Sequence, residues 1–294
     1  MKLITYKYNE KEQVGVLSKS EKTIYPIAAY KLDYKNMNDL IENVTDDEMN
    51  RLKVGVEDGI ADSISLDCVE LLAPIKRPSQ DILCLGLNYS AHAAESARYK
   101  NEAFESIKGN PVYFSKRVNE AVAPEGDIEG HFDMTKRLDY EVELAVIIGK
   151  DARNLSVEEV KDYIFGYTII NEVSARDLQT DHTQWYFGKS LDGFTPMGPV
   201  IVTVDEIEYP PKLDIKSYVN GELRQNSNTE KFLHSIDEVI VGLSKGMTLR
   251  AGTIISTGTP EGVAMGMQPP VFLKAGDVVT CEIEGIGRIV NKVC

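Results

Sequence analysis

The chain has 294 residues, of which 43% are hydrophobic and 27% are charged, a composition typical of a globular protein rather than a disordered or fibrous one. Its 32 Lys and Arg residues against 46 Asp and Glu residues give a formal charge of -14, which repels nucleic-acid backbones and anionic membrane surfaces. We therefore expect no nucleic acid and no membrane as partners, and a small anionic substrate would need a local positive charge to bind.

The N-terminal part of the chain contains short segments of alternating hydrophobicity, which predict strands near residues 3–6 and 15–17. Two prolines within residues 73–78 disfavour helix at the residues before them and predict a connector. We therefore predict a small N-terminal α/β domain over residues 1–75 and a catalytic domain over residues 76–294.

Beyond residue 76, runs rich in β-branched and aromatic residues alternate with turns. The runs that predict strands are residues 81–85, 140–148, 164–170, 199–204, 253–256 and 277–283. Capping boxes at Ser156 and Ser235 predict the starts of two helices, and the second helix is expected to stop at Gly246. The predicted fold class is α+β, dominated by strands.

The four cysteines are scattered without a CxxC pair, which indicates reduced thiols rather than disulfides or a zinc site. The N-terminal residues lack the apolar core of a signal peptide, and no stretch approaches the roughly 20 apolar residues of a membrane span. We therefore expect a cytoplasmic protein.

Glu141 and Glu143 alternate with the apolar residues Val142, Leu144 and Val146, so both carboxylates lie on one face of the predicted strand. Their Cα atoms are about 6.7 Å apart, at roughly 3.3 Å per residue, which lets both side chains reach one cation. A solvated strand face has the same pattern, and the strand alone does not decide between the two.

A third carboxylate, Glu172, follows the apolar run at residues 164–170, which is too rich in β-branched and aromatic residues to favour helix. Three oxygen ligands without His or Cys favour Mg²⁺, Mn²⁺ or Ca²⁺ over zinc and leave positions open for substrate or water. Taken alone, a residue such as Glu172 is more often a surface acid than a metal ligand.

His92 and Glu95 lie three residues apart in an Ala-rich, helix-prone stretch, so on a helix they share a face. Glu95 could then orient the imidazole and raise its basicity, which makes His92 a candidate general base. An exposed ion pair on an ordinary helix has the same spacing.

Short motifs in register from about residue 75 to the C-terminus resemble those of the fumarylacetoacetate hydrolase family. They are residues 85–89 (LGLNY) with His92 and Glu95, 138–144 (LDYEVEL), 164–167 (IFGY), 173–179 (VSARDLQ), 188–190 (GKS), 219–222 (VNGE) and 258–263 (GTPEGV). Each motif is weak alone, but their common order makes the resemblance specific.

The resemblance, in particular to bacterial acylpyruvases and 2-hydroxyhepta-2,4-diene-1,7-dioate isomerases, implies a catalytic domain of mixed, rolled β-sheets and a homodimer. It implies Mg²⁺ or Mn²⁺, with Ca²⁺ as a third candidate, and no organic cofactor. The matched residues are Glu141, Glu143 and Glu172 as metal ligands, His92 and Glu95 as a catalytic dyad on a mobile lid, Lys189 as an active-site lysine, and Gln179 and Thr259 as substrate contacts.

One position departs from the family pattern. The third ligand of the family is usually Asp, whereas this chain has Glu172, which is one methylene longer. The change keeps the charge but moves the carboxylate or invites bidentate binding, so metal affinity or metal choice is expected to differ.

Three functional hypotheses follow. The first is a divalent-metal-dependent hydrolase that cleaves a C–C bond of acylpyruvate-type (2,4-dioxo acid) substrates through a metal-bound enolate, with His92 as base and Lys189 stabilising charge. The second is a decarboxylase or isomerase of 2-oxo dicarboxylates such as oxaloacetate or intermediates of aromatic catabolism. The third is a metal-binding but inactive family member.

In the first two hypotheses the partner is a small anionic 2-oxo acid. The predicted lid also carries two cations, Arg98 and Lys100. They either bind a distal carboxylate of the substrate or are solvated helix charges.

Overall fold

The computed structural model describes residues 1–59, 62–100, 103 and 109–294. Strands predominate in these residues. The strands are β1 (Lys2–Tyr8), β2 (Lys11–Leu17), β3 (Thr23–Pro26), β4 (Ile64–Ser65), β5 (Glu70–Leu72), β6 (Ile82–Gly86), β7 (Val112–Lys116), β8 (Leu138–Asp139), β9 (Val142–Ile148), β10 (Ile164–Asn171), β11 (Ser174–Ala175), β12 (Met197–Thr203), β13 (Asp214–Val219), β14 (Glu222–Asn228), β15 (Ile254–Ser256), β16 (Val278–Ile283) and β17 (Gly287–Lys292).

The helices are shorter and flank the sheets. They are α1 (Met37–Asn43), α2 (Asp46–Asp58), α3 (Ser90–Lys100), α4 (Val160–Tyr163), α5 (Arg176–Asp181), α6 (Tyr186–Lys189) and α7 (Ile236–Gly246), with single 3₁₀ turns at Ile27–Tyr30, Leu66–Cys68, Val157–Glu159, Val204–Glu206, Thr229–Lys231 and Ala264–Gly266. Within the described ranges, no helix has the length and apolar content needed to cross a membrane.

One large sheet organises the described part of the molecule. It has 11 strands in the order β4-β3-β2-β1-β12-β10-β9-β15-β6-β7, with β5 also paired to β1. A second sheet of 4 strands, in the order β14-β13-β16-β17, contacts β9 and β10 of the large sheet. This mixed, strand-dominated α+β architecture confirms the predicted fold class.

The first strands of the chain belong to the large sheet. β1 pairs with β12, with Leu3 opposite Ile201, and the two residues lie in the same buried cluster. Sheet and core therefore run without a break across residue 76. The division into domains at that residue stays a prediction.

The elements that were predicted beyond residue 76 are confirmed, with strand ends displaced by at most two residues. Helix α7 begins after Ser235, whose Oγ accepts a hydrogen bond from the Glu238 backbone N–H at 3.1 Å, and it ends at Gly246. The capping box of Ser156 is also present, but the turn that it starts is a 3₁₀ turn before α4.

The centre of the large sheet is buried on both faces. All seven residues of β9 are buried, and their side chains alternate between two cores. Val142, Leu144 and Val146 pack in one hydrophobic cluster, whereas Ala145 and Ile147 pack in the other. The face that Glu143 shares with Ala145 is therefore covered by protein rather than by solvent.

Candidate active site

Three carboxylates meet where β9 begins and β10 ends. The two strands are antiparallel, with Ile170 opposite Glu143, so the residue after β10 lies beside the residue before β9. The backbone N–H of Glu172 accordingly donates to the carbonyl oxygen of Glu141 at 2.8 Å. Glu141, Glu143 and Glu172 are 3%, 1% and 1% exposed, and one oxygen from each lies within 4.8 Å of the others. The strand face is therefore a buried acidic cluster.

Glu143 is held from the neighbouring strand β15. Its Oε2 accepts hydrogen bonds from Ser256 Oγ at 2.6 Å and from the Gly258 backbone N–H at 2.8 Å. Burial, followed by the charges of Glu172 and Glu141, raises the pKa of the Glu143 carboxyl well above its usual range. The charged form of Glu143 would therefore be stabilised by a nearby cation.

Two buried cations neutralise Glu141. Lys189 Nζ lies 2.7 Å from Glu141 Oε2 and 2.9 Å from Glu172 Oε2, and an Arg176 guanidinium nitrogen lies 2.6 Å from Glu141 Oε1. Burial acts to raise the pKa of Glu141, but Lys189 and then Arg176 outweigh burial and hold this pKa far below its usual range. Glu141 is therefore ionised.

The donor set fits a hard divalent cation. Among the described residues, Glu172 Oε1 is buried without a hydrogen-bond partner. A buried, unsatisfied carboxylate oxygen is costly, and a cation bound between the three acids would satisfy it. Because the cluster offers carboxylate oxygens and no His or Cys, it suits Mg²⁺ or Mn²⁺.

The predicted dyad lies on α3. His92 is 4% exposed, and its Nδ1 is 3.5 Å from Glu95 Oε2. The Glu95 carboxylate also accepts from the backbone N–H of Gly262, at 3.0 Å and 3.1 Å to its two oxygens. The helix is thereby tied to the loop after β15, and the imidazole and the acid are neighbours.

His92 and the carboxylates face one cavity of about 450 Å³. Seven of the eight residues proposed from the sequence line it, namely His92, Glu141, Glu143, Glu172, Gln179, Lys189 and Thr259. Glu95 contacts His92 and the loop at Gly262. The structure therefore brings all eight residues to one place, and their individual roles stay predictions.

Gln179 and Thr259 are held by hydrogen bonds at the cavity wall. Gln179 Oε1 accepts from Arg176 at 3.1 Å. Thr259 Oγ1 donates to the Val142 carbonyl at 3.0 Å and accepts from Gln225 Nε2 at 2.7 Å. Because the Thr259 hydroxyl is already engaged on both sides, it has little freedom to reorient toward a ligand.

Residues 81–294 match the model of the fumarylacetoacetate (FAA) hydrolase C-terminal domain. This match covers most of the chain, including Glu141, Glu143 and Glu172 and the pair of His92 and Glu95. The chain belongs to the fumarylacetoacetate hydrolase family. Members of this family are enzymes, among them hydrolases, isomerases and tautomerases.

Relatives of known activity catalyse different reactions. Oxaloacetate tautomerase YisK of Bacillus subtilis is 47% identical over 230 residues, which cover 78% of this chain and 74% of the relative. The structure of a fumarylacetoacetate hydrolase from Exiguobacterium antarcticum matches with a TM-score of 0.84 and 38% identity, covering 100% of this chain and 99% of that one. Maleylpyruvate hydrolase of Sphingobium sp. SYK-6, in complex with manganese(II) and pyruvate, matches with a TM-score of 0.77 and 28% identity, covering 100% and 98%. The family is thus shared, the maleylpyruvate hydrolase holds a divalent metal, and the reaction differs between members.

Sequence reasoning missed Lys116, the last residue of β7. Its Nζ donates to the Val173 carbonyl at 3.1 Å, and its side chain is fully buried. The pKa of Lys116 is lowered from 10.5 to about 8, chiefly by burial and also by the charge of Lys189, although the charge of Glu172 acts in the opposite direction. A lysine that ends a short strand is typical of an exposed residue, so the sequence offered no signal.

The sequence also did not predict the buried ion pair of Asp139 and Arg176. Arg176 Nε donates to Asp139 Oδ2 at 2.8 Å, and both side chains are buried. Asp139 also accepts from the backbone N–H groups of Ala264 and Met265, at 2.7 Å and 3.1 Å. Both residues lie in motifs that carry the family resemblance. Only the structure shows that they join helix α5 to the Ala264–Gly266 turn.

Proposed function

We propose that the protein catalyses the enol–keto tautomerisation of a small 2-oxo acid with the aid of a divalent cation. The observation that carries the proposal is the position of His92, paired with Glu95, on the wall of the same cavity as three buried carboxylates. The 47% identity to an oxaloacetate tautomerase supports the choice of reaction.

Glu141, Glu143 and Glu172 would hold the cation, with Mg²⁺ and Mn²⁺ as the candidates. When bound, it would act as a Lewis acid that polarises the 2-oxo group and acidifies the adjacent carbon. Lys189 keeps a second positive charge beside Glu141 and Glu172, because these carboxylates hold the pKa of its ammonium above the usual range against the effect of burial. An anionic substrate can therefore enter a protein of formal charge -14.

His92 would act as the proton carrier. It takes a proton from C3 of the 2-oxo acid, the C–H electron pair becomes the C2–C3 double bond, and the same proton is returned to the C2 oxygen to give the enol. Glu95 Oε2, 3.5 Å from Nδ1, would orient the ring. A positioned general base of this kind contributes roughly 10²–10⁴ in rate.

Hydrolysis of a C–C bond in an acylpyruvate-type substrate is the second candidate. The structural similarity to a maleylpyruvate hydrolase, which covers 100% of this chain, favours it. In this reaction His92 would take a proton from water instead of carbon, and the resulting hydroxide would add to the C4 carbonyl. The C3–C4 bond would then break, its electron pair would form the enolate of pyruvate, and the proton would be returned to C3, so that the products are a carboxylic acid and pyruvate. The same residues serve both reactions, so the products have to be measured.

The test uses the full chain with added Mg²⁺ or Mn²⁺. Enzyme-dependent loss of enol absorbance from oxaloacetate, together with deuterium exchange at C3 followed by NMR, is expected. Acetylpyruvate and fumarylpyruvate should be left intact, and CO₂ should not be released. Acyl cleavage without C3 exchange would establish the hydrolase instead, and CO₂ release the decarboxylase. Cation binding without any turnover would identify an inactive member.

Two variants separate the base from the metal ligands. His92→Ala should lower the exchange rate by about 10²-fold or more while calorimetry shows unchanged cation binding, since His92 is not proposed as a ligand. Glu141→Ala should remove cation binding and activity together. Glu158→Ala, which changes an exposed acid on the Val157–Glu159 turn, is the matched control and should alter neither. Unchanged activity in Glu141→Ala would refute the metal-dependent mechanism.

A further inference from the structure

Two cations lie in the last turn of α3, and the structure gives them different surroundings. Arg98 donates to the Gly266 carbonyl at 3.0 Å, so its charge is used to join α3 to the Ala264–Gly266 turn. Lys100 lines the cavity instead, and its Nζ lies 5.7 Å from the centroid of the Trp185 ring. Of the two, only Lys100 presents its charge to the cavity.

A series of aromatic contacts on the cavity wall leads from Lys100 to Lys189, which contacts the acidic cluster. Trp185 and Phe114 are edge to face with centroids 5.2 Å apart, and Lys189 Nζ lies 5.4 Å from the Phe114 centroid. Trp185 is fixed against the backbone at Gly86, where an added Cβ would lie 2.4 Å from the indole Cζ3. Trp185 is therefore the aromatic neighbour of the Lys100 ammonium, and Phe114 is that of the Lys189 ammonium.

We propose that Lys100 is a specificity-determining residue that binds the distal carboxylate of a 2-oxo dicarboxylate longer than oxaloacetate. The inference rests on the proposed function, because that function places the 2-oxo acid end of the substrate at Glu141, Glu143 and Glu172. The distal carboxylate then extends past Phe114 and Trp185 to the Lys100 ammonium. A flat, apolar middle section would contact the two rings.

The dimensions support a longer diacid. The carboxyl carbons of oxaloacetate are three bonds apart, and three extended bonds span about 3.8 Å, as between consecutive Cα atoms. That length is less than the 5.2 Å between the two ring centroids alone. The cavity of about 450 Å³ lies within the range of about 300–1,000 Å³ typical of small-molecule sites, so it has room for a diacid of about six carbons.

The alternative is that Lys100 only stabilises the C-terminal end of α3 through the helix dipole. That role requires a positive charge but no ligand, and it would affect diacids and monoacids equally. The two roles therefore predict different ratios between the affinity for a diacid and the affinity for a monoacid. This ratio is independent of how much of the variant protein is folded.

The experiment measures binding to the Mg²⁺-loaded protein by calorimetry. 2-Oxoadipate and 2-oxohexanoate have the same chain length and differ in the distal carboxylate. The wild type should prefer the diacid by about tenfold or more, the value of one charge-assisted hydrogen bond. Lys100→Met should abolish this preference, and Lys100→Arg should retain it. Lys245→Met, which changes an exposed lysine in the last turn of α7, is the matched control and should keep the wild-type ratio.

A wild-type protein without preference for the diacid overturns the proposal. A Lys100→Met protein that keeps the wild-type ratio, or that weakens both ligands equally, overturns it as well. C3 exchange on the same ligands is recorded in parallel. If no 2-oxo acid exchanges, the proposed function fails, whereas the binding ratio still decides the role of Lys100.

Discussion

Arg176 offers a direct test of how the acidic cluster is stabilised. The side chain is 2% exposed, and it contacts Asp139 at 2.8 Å and Glu141 at 2.6 Å. Arg176→Met preserves much of the side-chain length but removes the charge, which leaves two buried carboxylates without their shared partner. Removal of one partner from a buried ion pair costs about 3–5 kcal/mol of the free energy of unfolding.

Three contacts that the variant retains limit the expected loss to about 3–5 kcal/mol rather than twice that value. Glu141 keeps Lys189 at 2.7 Å, and Asp139 keeps the backbone N–H groups of Ala264 and Met265. We therefore expect Arg176→Met to lose about 3–5 kcal/mol, measured as the change in free energy of unfolding in urea near pH 7 without added metal.

The control is Arg288→Met on the exposed part of β17, which should change the free energy of unfolding by less than about 0.5 kcal/mol. The pH dependence adds a second check. Because the pKa of Glu141 is depressed in the folded state, the stability it contributes is present above its unfolded pKa of about 4.3 and is lost as pH falls through the folded pKa. The difference between wild type and Arg176→Met should therefore narrow at acidic pH. A loss below about 1 kcal/mol at pH 7 would refute the reasoning.

Three further predictions concern the same site. The pKa of Glu143 is raised well above its usual range, so cation binding at neutral pH should release a proton and tighten as pH rises; calorimetry in buffers of different ionisation enthalpy measures this, and an equal release in Glu143→Gln would contradict it. Because folding lowers the pKa of Lys116 from 10.5 to about 8, the unfolded chain binds more protons than the folded one between these pH values. As pH rises from about 8 to 10.5, the free energy of unfolding in urea should therefore increase more for the wild type than for Lys116→Met. An identical pH dependence in the two proteins would exclude the effect. A Cβ at Gly266 would lie 2.5 Å from Glu95 Oε1, so Gly266→Ala should displace that flexible carboxylate and lower turnover about tenfold with little loss of stability. Gly246→Ala, with no atom within 4 Å of the added Cβ, is its control and should keep the wild-type rate.

The sequence by itself determined the local features of this protein. Side chains alternate along any strand, so the placement of Glu141 and Glu143 on one face followed from periodicity alone. The start of α7 at Ser235 and its end at Gly246 followed from capping, which depends on residues three positions apart. Strand positions could be predicted for the same reason, because the pattern that indicates a strand lies within a few neighbouring residues.

Only the tertiary structure decided which distant residues meet. Glu172 lies beside Glu141 because β10 pairs antiparallel with β9, and no local pattern specifies that register. Burial of Lys116 and the different contacts of Arg98 and Lys100 depend on neighbours from other elements. The charge, burial and pKa of a side chain are set by what surrounds it, and in a sheet that joins strands far apart in the chain those surroundings exist only after folding.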